Sequence, residues 1–213
     1  MIENYFIIKL RQKERMPSQA TIRRSEWRVS RVPYCGGKIS CIYRRGGGKK
    51  WEPWTVVAPS ALLRRLGIDA LGLYAARPFE DEDYVGVYPM NDVVGRYASR
   101  EEAVTSKEAI ERDMRGRDKM ITVRSKGEVL LLDGERGEGA QVQRANDPRG
   151  TRLRPNAYMT EAGYMRVTSA VPAFQFDKSV EQNVRSELRY SYGDDFWATP
   201  RSGKCRKKNE PPS

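Results

Sequence analysis

Only one stretch of this chain, Ser99–Arg115, carries the pattern of a long helix. Ser99 stands where an N-cap belongs, and Glu102 takes the capping-box position three residues later. Ala103, Ile110 and Met114 supply an apolar stripe. The other apolar runs are short and stop at Gly, Pro or clustered charge, which is how strands are punctuated. Residues 1–10 open with such a run. Residues 54–79 hold apolar pieces broken by Pro59, Gly67 and Gly72, and an acidic turn, Glu80–Asp83, precedes a strand over 84–90. Residues 120–134 read as a hairpin turning at Ser125-Lys126-Gly127, followed by a loop containing Gly134, Gly137 and Gly139. A further strand is expected over 164–174, and residues 187–197 close the ordered part. There is no internal repeat. Many short strands around one helix make a mostly-β domain.

The 213 residues suffice for one domain of ordinary size, and their charge divides them. Residues 1–55 carry 13 Lys or Arg against 4 Asp or Glu. Residues 56–198 carry 21 against 23, and residues 199–213 carry 5 against 1. A nearly neutral middle is thus flanked by two basic ends. Such ends either stay solvated and keep a protein soluble or contact nucleic acid or another polyanion. Trp27, Tyr34, Trp51 and Trp54 argue against full disorder before residue 55. Gly46–Gly48, followed by Lys49 and Lys50, reads as a loop. The tail from Thr199 is polar, basic and expected to be disordered.

Histidine is absent. That removes Ser-His-Asp and Cys-His nucleophile systems, His general bases and His-ligated zinc. Cys35, Cys41 and Cys205 are too few for an all-cysteine zinc site, and their odd, sparse count fits a reducing compartment. No apolar run approaches the length of a membrane span, and no signal-peptide pattern opens the chain.

Three segments stand out by order and spacing. The first is Ala70-Leu-Gly-Leu-Tyr-Ala-Ala-Arg, followed after the acidic turn by Val85-Gly-Val-Tyr88. The second is Arg144-Ala-Asn146-Asp-Pro-Arg-Gly-Thr-Arg-Leu-Arg-Pro155-Asn156. The third is Glu187-Leu-Arg-Tyr190-Ser-Tyr192-Gly193. Together they resemble the SET domain of protein lysine methyltransferases over residues 56–198. They match that family's Gly-x-Gly-(Leu/Val)-(Phe/Tyr)-Ala, Asn-His-Ser-Cys-x-Pro-Asn and Glu-Glu-Leu-x-(Phe/Tyr)-Asp-Tyr-Gly segments. Ala70 replaces the first glycine, Asp147 replaces the histidine, and about four residues are inserted before Pro155-Asn156. Cys-rich zinc modules are not expected on either flank.

The resemblance implies several short curved sheets, one inserted helix and a C-terminal pseudoknot. The implied domains are a basic segment (1–55), a SET-like methyltransferase domain (56–198) and a basic tail (199–213). It further implies S-adenosylmethionine as cofactor and lysine in a basic protein segment, such as a histone tail, as substrate. Tyr192 matches the catalytic tyrosine, and Tyr190 the position that tunes how many methyl groups are added, a tyrosine there going with monomethylation. Tyr88 resembles a lysine-channel tyrosine, and Phe196 and Trp197 would cover that channel. Asn146 matches the cofactor-binding asparagine, with Leu71, Gly72 and Asn156 lining or supporting the same cleft. Glu187 is expected to pair with backbone or with arginine.

The chemistry suits a chain without histidine. The transfer needs a neutral amine, aligned and dry, opposite a methyl on a sulfonium. A lysine amine has a reference pKa of about 10.4. An apolar channel and a neighbouring cation both lower that value, so no dedicated base is required. The acidic run Glu80–Asp83 either attracts a basic substrate or is an ordinary solvated turn. The other reading is a non-catalytic SET-like module that associates with chromatin or nucleic acid through its basic ends. Lys204-Cys-Arg-Lys-Lys and the substrate class suggest a nuclear location. No metal and no membrane contact are expected.

Overall fold

A computed structural model describes residues 26–45, 50–89, 93–113, 120–134 and 140–193, with no side-chain description for 108–113. The first part of the chain gives β1 (Trp27–Tyr34), β2 (Gly37–Arg45), β3 (Trp51–Pro59), α1 (Ala61–Arg64), β4 (Leu71–Ala75) and β5 (Tyr84–Val87). The middle gives β6 (Val93–Tyr97), α2 (Arg100–Asp113), β7 (Met120–Ser125) and β8 (Glu128–Asp133). The last part gives β9 (Ala157–Met159), β10 (Tyr164–Val167) and β11 (Glu187–Leu188). Three antiparallel sheets result, in the orders β1-β2-β3-β4-β11, β5-β10-β9 and β6-β8-β7. The fold is mostly β, as the short punctuated runs predict.

The largest sheet starts inside the basic N-terminal segment. The expected domain boundary at residue 55 falls in the middle of β3, and β1 and β2 pair along its N-terminal side. Residues 27–34, 37–45 and 51–55 are therefore part of the main sheet. Charge hid them: Arg28, Arg31, Lys38 and Arg45 face solvent, while Ile39, Cys41 and Ile42 of β2 are buried. The β1–β2 turn is Cys35-Gly36, and both residues have positive φ (47° and 78°), the geometry of a tight hairpin whose twist matches its strands. Residues 1–10, expected to open with a short apolar run, lie outside the described residues.

Alternation along β2 and β3 feeds two cores on opposite faces of this sheet. Ile42, Trp54 and Val57 join Leu73, Leu188 and Tyr190 on one side. Tyr34, Ile39, Cys41 and Val56 meet Tyr74, Phe174 and Val180 on the other. The helix expected over Ser99–Arg115 is α2. The Glu102 amide donates to Ser99 Oγ, and the Glu102 carboxylate accepts from the Ala98 amide, each at 3.2 Å. Ala103 is fully buried; the Ile110 side chain and Met114 lie outside what is described. The hairpin β7–β8 turns at Lys126-Gly127, both at positive φ, with Ser125 opposite Glu128. Within 164–174 the strand is β10 alone, with a separate bridge from Val171 to Phe79.

Candidate active site

Residues 187–192 run between two walls that come from distant parts of the chain. On one side β11 pairs with β4, Glu187 opposite Tyr74 and Leu188 opposite Leu73. On the other, Asn146 forms a parallel bridge with Arg189, and the Tyr190 amide donates to the Asn146 carbonyl at 3.2 Å. The Asn156 and Ala157 amides both donate to the Arg189 carbonyl at 3.0 Å. The structure thus brings the three motif segments of the sequence into hydrogen-bonded contact.

Glu187 ties them together. Its side chain is fully buried. Oε1 accepts from Ser60 Oγ at 2.5 Å and Oε2 from the Leu62 amide at 2.9 Å, while Asn146 Nδ2 approaches Oε1 at 3.5 Å. Burial pushes the Glu187 carboxyl above its usual range, and the Ser60, Leu62 and Asn146 donors oppose that shift. Gly72 faces this carboxylate, with no space between them for a Cβ. Ser60 also caps α1 by accepting from the Leu63 amide at 3.0 Å. The sequence signal for it was the ordinary one, a serine just before an apolar run.

Asn156 is a clamp on backbone. Its Nδ2 donates to the Glu187 carbonyl at 2.9 Å, and its Oδ1 accepts from the Arg189 amide at 2.8 Å. Both ends of the amide are committed, so Asn156 braces the backbone of residues 187–189. Asp147 does related work, accepting from the Tyr192 amide through Oδ2 and from the Arg149 amide through Oδ1, each at 2.7 Å. Asp147 thereby holds the backbone at Tyr192.

Tyr190 and Tyr192 lie with ring centroids 4.9 Å apart, tilted by 57°. The Tyr192 hydroxyl donates to the Ala145 carbonyl at 3.0 Å. Tyr190 is buried, and burial raises its phenol pKa well above the ordinary value. The neighbouring Tyr192, Tyr88 and Asp147 side chains push the same way. Tyr88 is buried beside Gly134, where a Cβ would overlap its hydroxyl. Three tyrosines from two distant segments thus share one region. Gln143, which sequence reasoning missed, packs against the same glycine. Its Oε1 is buried with no hydrogen-bond partner, and no motif marks it.

Of the residues assigned to a cofactor, Asn146 is half-buried and donates through Nδ2 to the Leu71 carbonyl at 3.0 Å. Its Oδ1 receives no hydrogen bond among the described residues. Leu71 is exposed and Gly72 buried. Phe196 and Trp197 lie outside the described residues. The acidic turn is engaged with its surroundings: Asp83 accepts from the Glu80 amide and faces Arg77 at 3.7 Å, and Glu82 accepts from the Tyr158 hydroxyl. Among the described residues, no group of His, Cys, Asp and Glu side chains is arranged to hold a metal ion, and no helix is long and apolar enough to cross a membrane. No protein-family model and no curated protein matches this chain.

Proposed function

We propose that this chain is an S-adenosylmethionine-dependent protein lysine N-methyltransferase that adds a single methyl group to a basic protein segment such as a histone tail. A fold of the SET type, with a knotted C-terminus, and action in the nucleus belong to the same proposal. The observation that carries it is the Tyr190–Tyr192 pair, 4.9 Å between centroids, next to Tyr88 and one residue from the Asn146–Leu71 contact.

The residues fit the cofactor at one end. The Asn146 amide is oriented by the Leu71 carbonyl, so its Oδ1 is left to accept from an α-amino group. When bound, S-adenosylmethionine supplies a methyl group on a sulfonium. The chain's own part is positioning and dryness. Tyr88 and Tyr190 are buried, and their rings would pack on a lysine stem and exclude water. Burial raises the Tyr190 phenol pKa further above neutral, so Tyr190 serves as a hydrogen-bond partner and not as a base. Tyr192, its amide held by Asp147 and its hydroxyl by the Ala145 carbonyl, would orient the amine.

A second reading draws on that same hydroxyl. It is already satisfied by Ala145, as in a ring kept for packing. The chain would then be a non-catalytic SET-like module that contacts chromatin or nucleic acid through its basic ends. Calorimetric titration with S-adenosylmethionine, followed by mass spectrometry of incubated histones, separates the two. The enzyme releases heat with cofactor and yields monomethyl-lysine. Absence of both supports the module.

A further inference from the structure

The inserted stretch before Pro155-Asn156 meets the site described above through backbone, by the Arg149 amide and the Arg154 carbonyl. It packs as a braced turn. The Arg149 amide donates to Asp147 Oδ1 at 2.7 Å, Thr151 Oγ1 donates to the Pro148 carbonyl at 2.7 Å, and the Leu153 amide donates to Thr151 Oγ1 at 3.1 Å. Arg189, itself buried, donates through Nε to the Arg154 carbonyl at 3.1 Å and closes the turn from beneath. The backbone is thereby fixed, and Arg149, Arg152 and Arg154 are exposed on its outside. Residues 148–156 contain no acidic residue.

The loop after α1 lies alongside. A Cβ on Gly150 would sit 3.8 Å from Leu66 Cδ1. Burial holds the Arg189 guanidinium below its usual pKa against the pull of Glu187, and the Arg65 charge adds to the depression, so Arg65 is near the same buried cation. Arg64 is answered by Glu181 at 3.1 Å, but among the described residues no ion pair involves Arg65, Arg152 or Arg154. The result is a basic patch in the otherwise neutral middle of the chain, separate from the basic ends.

We propose that Arg65, Arg152 and Arg154, with Arg149 beside them, form a contact site for the phosphate backbone of duplex DNA. Exposed guanidinium groups on a preformed turn match regularly spaced phosphates in charge and hydrogen-bonding geometry. A single strand is a poorer fit, because residues 61–69 and 148–156 include no aromatic ring on which splayed bases could stack. Duplex RNA is also a poorer fit. The Thr151 hydroxyl and the Asn156 amide are both committed within the chain, which leaves neither to read a ribose 2′-hydroxyl. Such contacts carry affinity and register but no sequence information.

The test is fluorescence anisotropy of a labelled duplex DNA of arbitrary sequence, titrated with the full chain at several salt concentrations. Each phosphate contact adds about one unit to the slope of log affinity against log salt. The triple variant Arg65→Gln, Arg152→Gln, Arg154→Gln is expected to lose about three units of slope. The corresponding triple change to Lys is expected to regain them. Because the basic ends remain in both variants, any residual slope reports the ends. A wild-type slope in the Gln variant overturns the site. Tighter binding of single-stranded DNA or duplex RNA overturns the assignment to duplex DNA. Displacement of the DNA by a polyglutamate peptide of equal charge shows an acidic protein partner instead.

Discussion

Gly72 lies so close to Glu187 that a Cβ added to it would stand 2.5 Å from Glu187 Oε1 and 3.1 Å from Ser60 Cβ. The strand that carries the proposed cofactor edge and the strand that leads to the two tyrosines are thus held in contact by a glycine and a buried acid. A methyl group at this point cannot be accommodated by a surface movement, because Glu187 is fixed by Ser60 and Leu62.

Gly72→Ala should therefore cost about 1–3 kcal/mol of stability, as overpacking of a rigid core does. Urea unfolding would measure it. Leu71→Ala, one residue away and exposed, is the control and should change stability by less than about 0.5 kcal/mol.

Glu187 gives stability a dependence on pH. Its carboxyl is raised above the unfolded value by burial, so its contribution is full below the unfolded pKa and is lost as pH rises through the folded pKa. Glu187→Gln keeps the shape of the protonated acid and presents an N–H where that acid presents its O–H. The variant should match the wild type within about 0.5 kcal/mol at acid pH. As pH rises, the wild type should lose stability relative to the variant. Urea midpoints measured over roughly pH 4 to 8 would show it; a wild type that gains on the variant with rising pH would contradict the raised pKa.

Asn156→Ala removes the clamp on both sides of Arg189 and leaves the Glu187 carbonyl and the Arg189 amide without partners. The expected loss is about 1–3 kcal/mol for each buried group left unpaired. Hydrogen exchange should register it first at the Arg189 amide. Unchanged protection there would mean that the clamp holds nothing.

The two tyrosines should separate by product. Tyr192→Phe is expected to abolish methyl transfer nearly completely while leaving cofactor binding intact, because it removes the hydroxyl that orients the amine. Tyr190→Phe frees space for about one water or methyl group and removes the hydroxyl that would hydrogen-bond to the bound amine, a contact of about 1 kcal/mol. It should carry the product from monomethyl- to di- or trimethyl-lysine. Mass spectrometry after long incubation reads both, and abundant trimethyl-lysine from the wild type would rule out the role given to Tyr190.

Local signals were legible where they act locally. The Ser99–Glu102 box and the Lys126-Gly127 turn depend on neighbours in sequence, and both stand where the residues put them. Strands β1 and β2 are masked as parts of the domain by the charge of their exposed positions. Arg28, Arg31 and Lys38 set the charge, while Ile39, Cys41 and Ile42, on alternate sides, set the fold. The motif segments pointed to Asn146, Asn156, Tyr190 and Tyr192, but not to the partners that hold them. Asn156 works on backbone 33 positions away, and Ser60 on a carboxylate 127 positions away. No periodicity or spacing rule reaches that far.

The placement of residues 187–192 between two walls has a kinetic consequence. One wall, β4, is made more than a hundred residues earlier, and the other, around Asn146 and Asn156, more than thirty residues earlier. Closing loops of that length is slow compared with forming a helix or a hairpin. During synthesis, the sheet edge at β4 and the carbonyl of Ala145 must wait, unpaired, until residue 192 has left the ribosome. The tyrosine pair should therefore be among the last features to gain protection in refolding and among the first to be lost under mild denaturant.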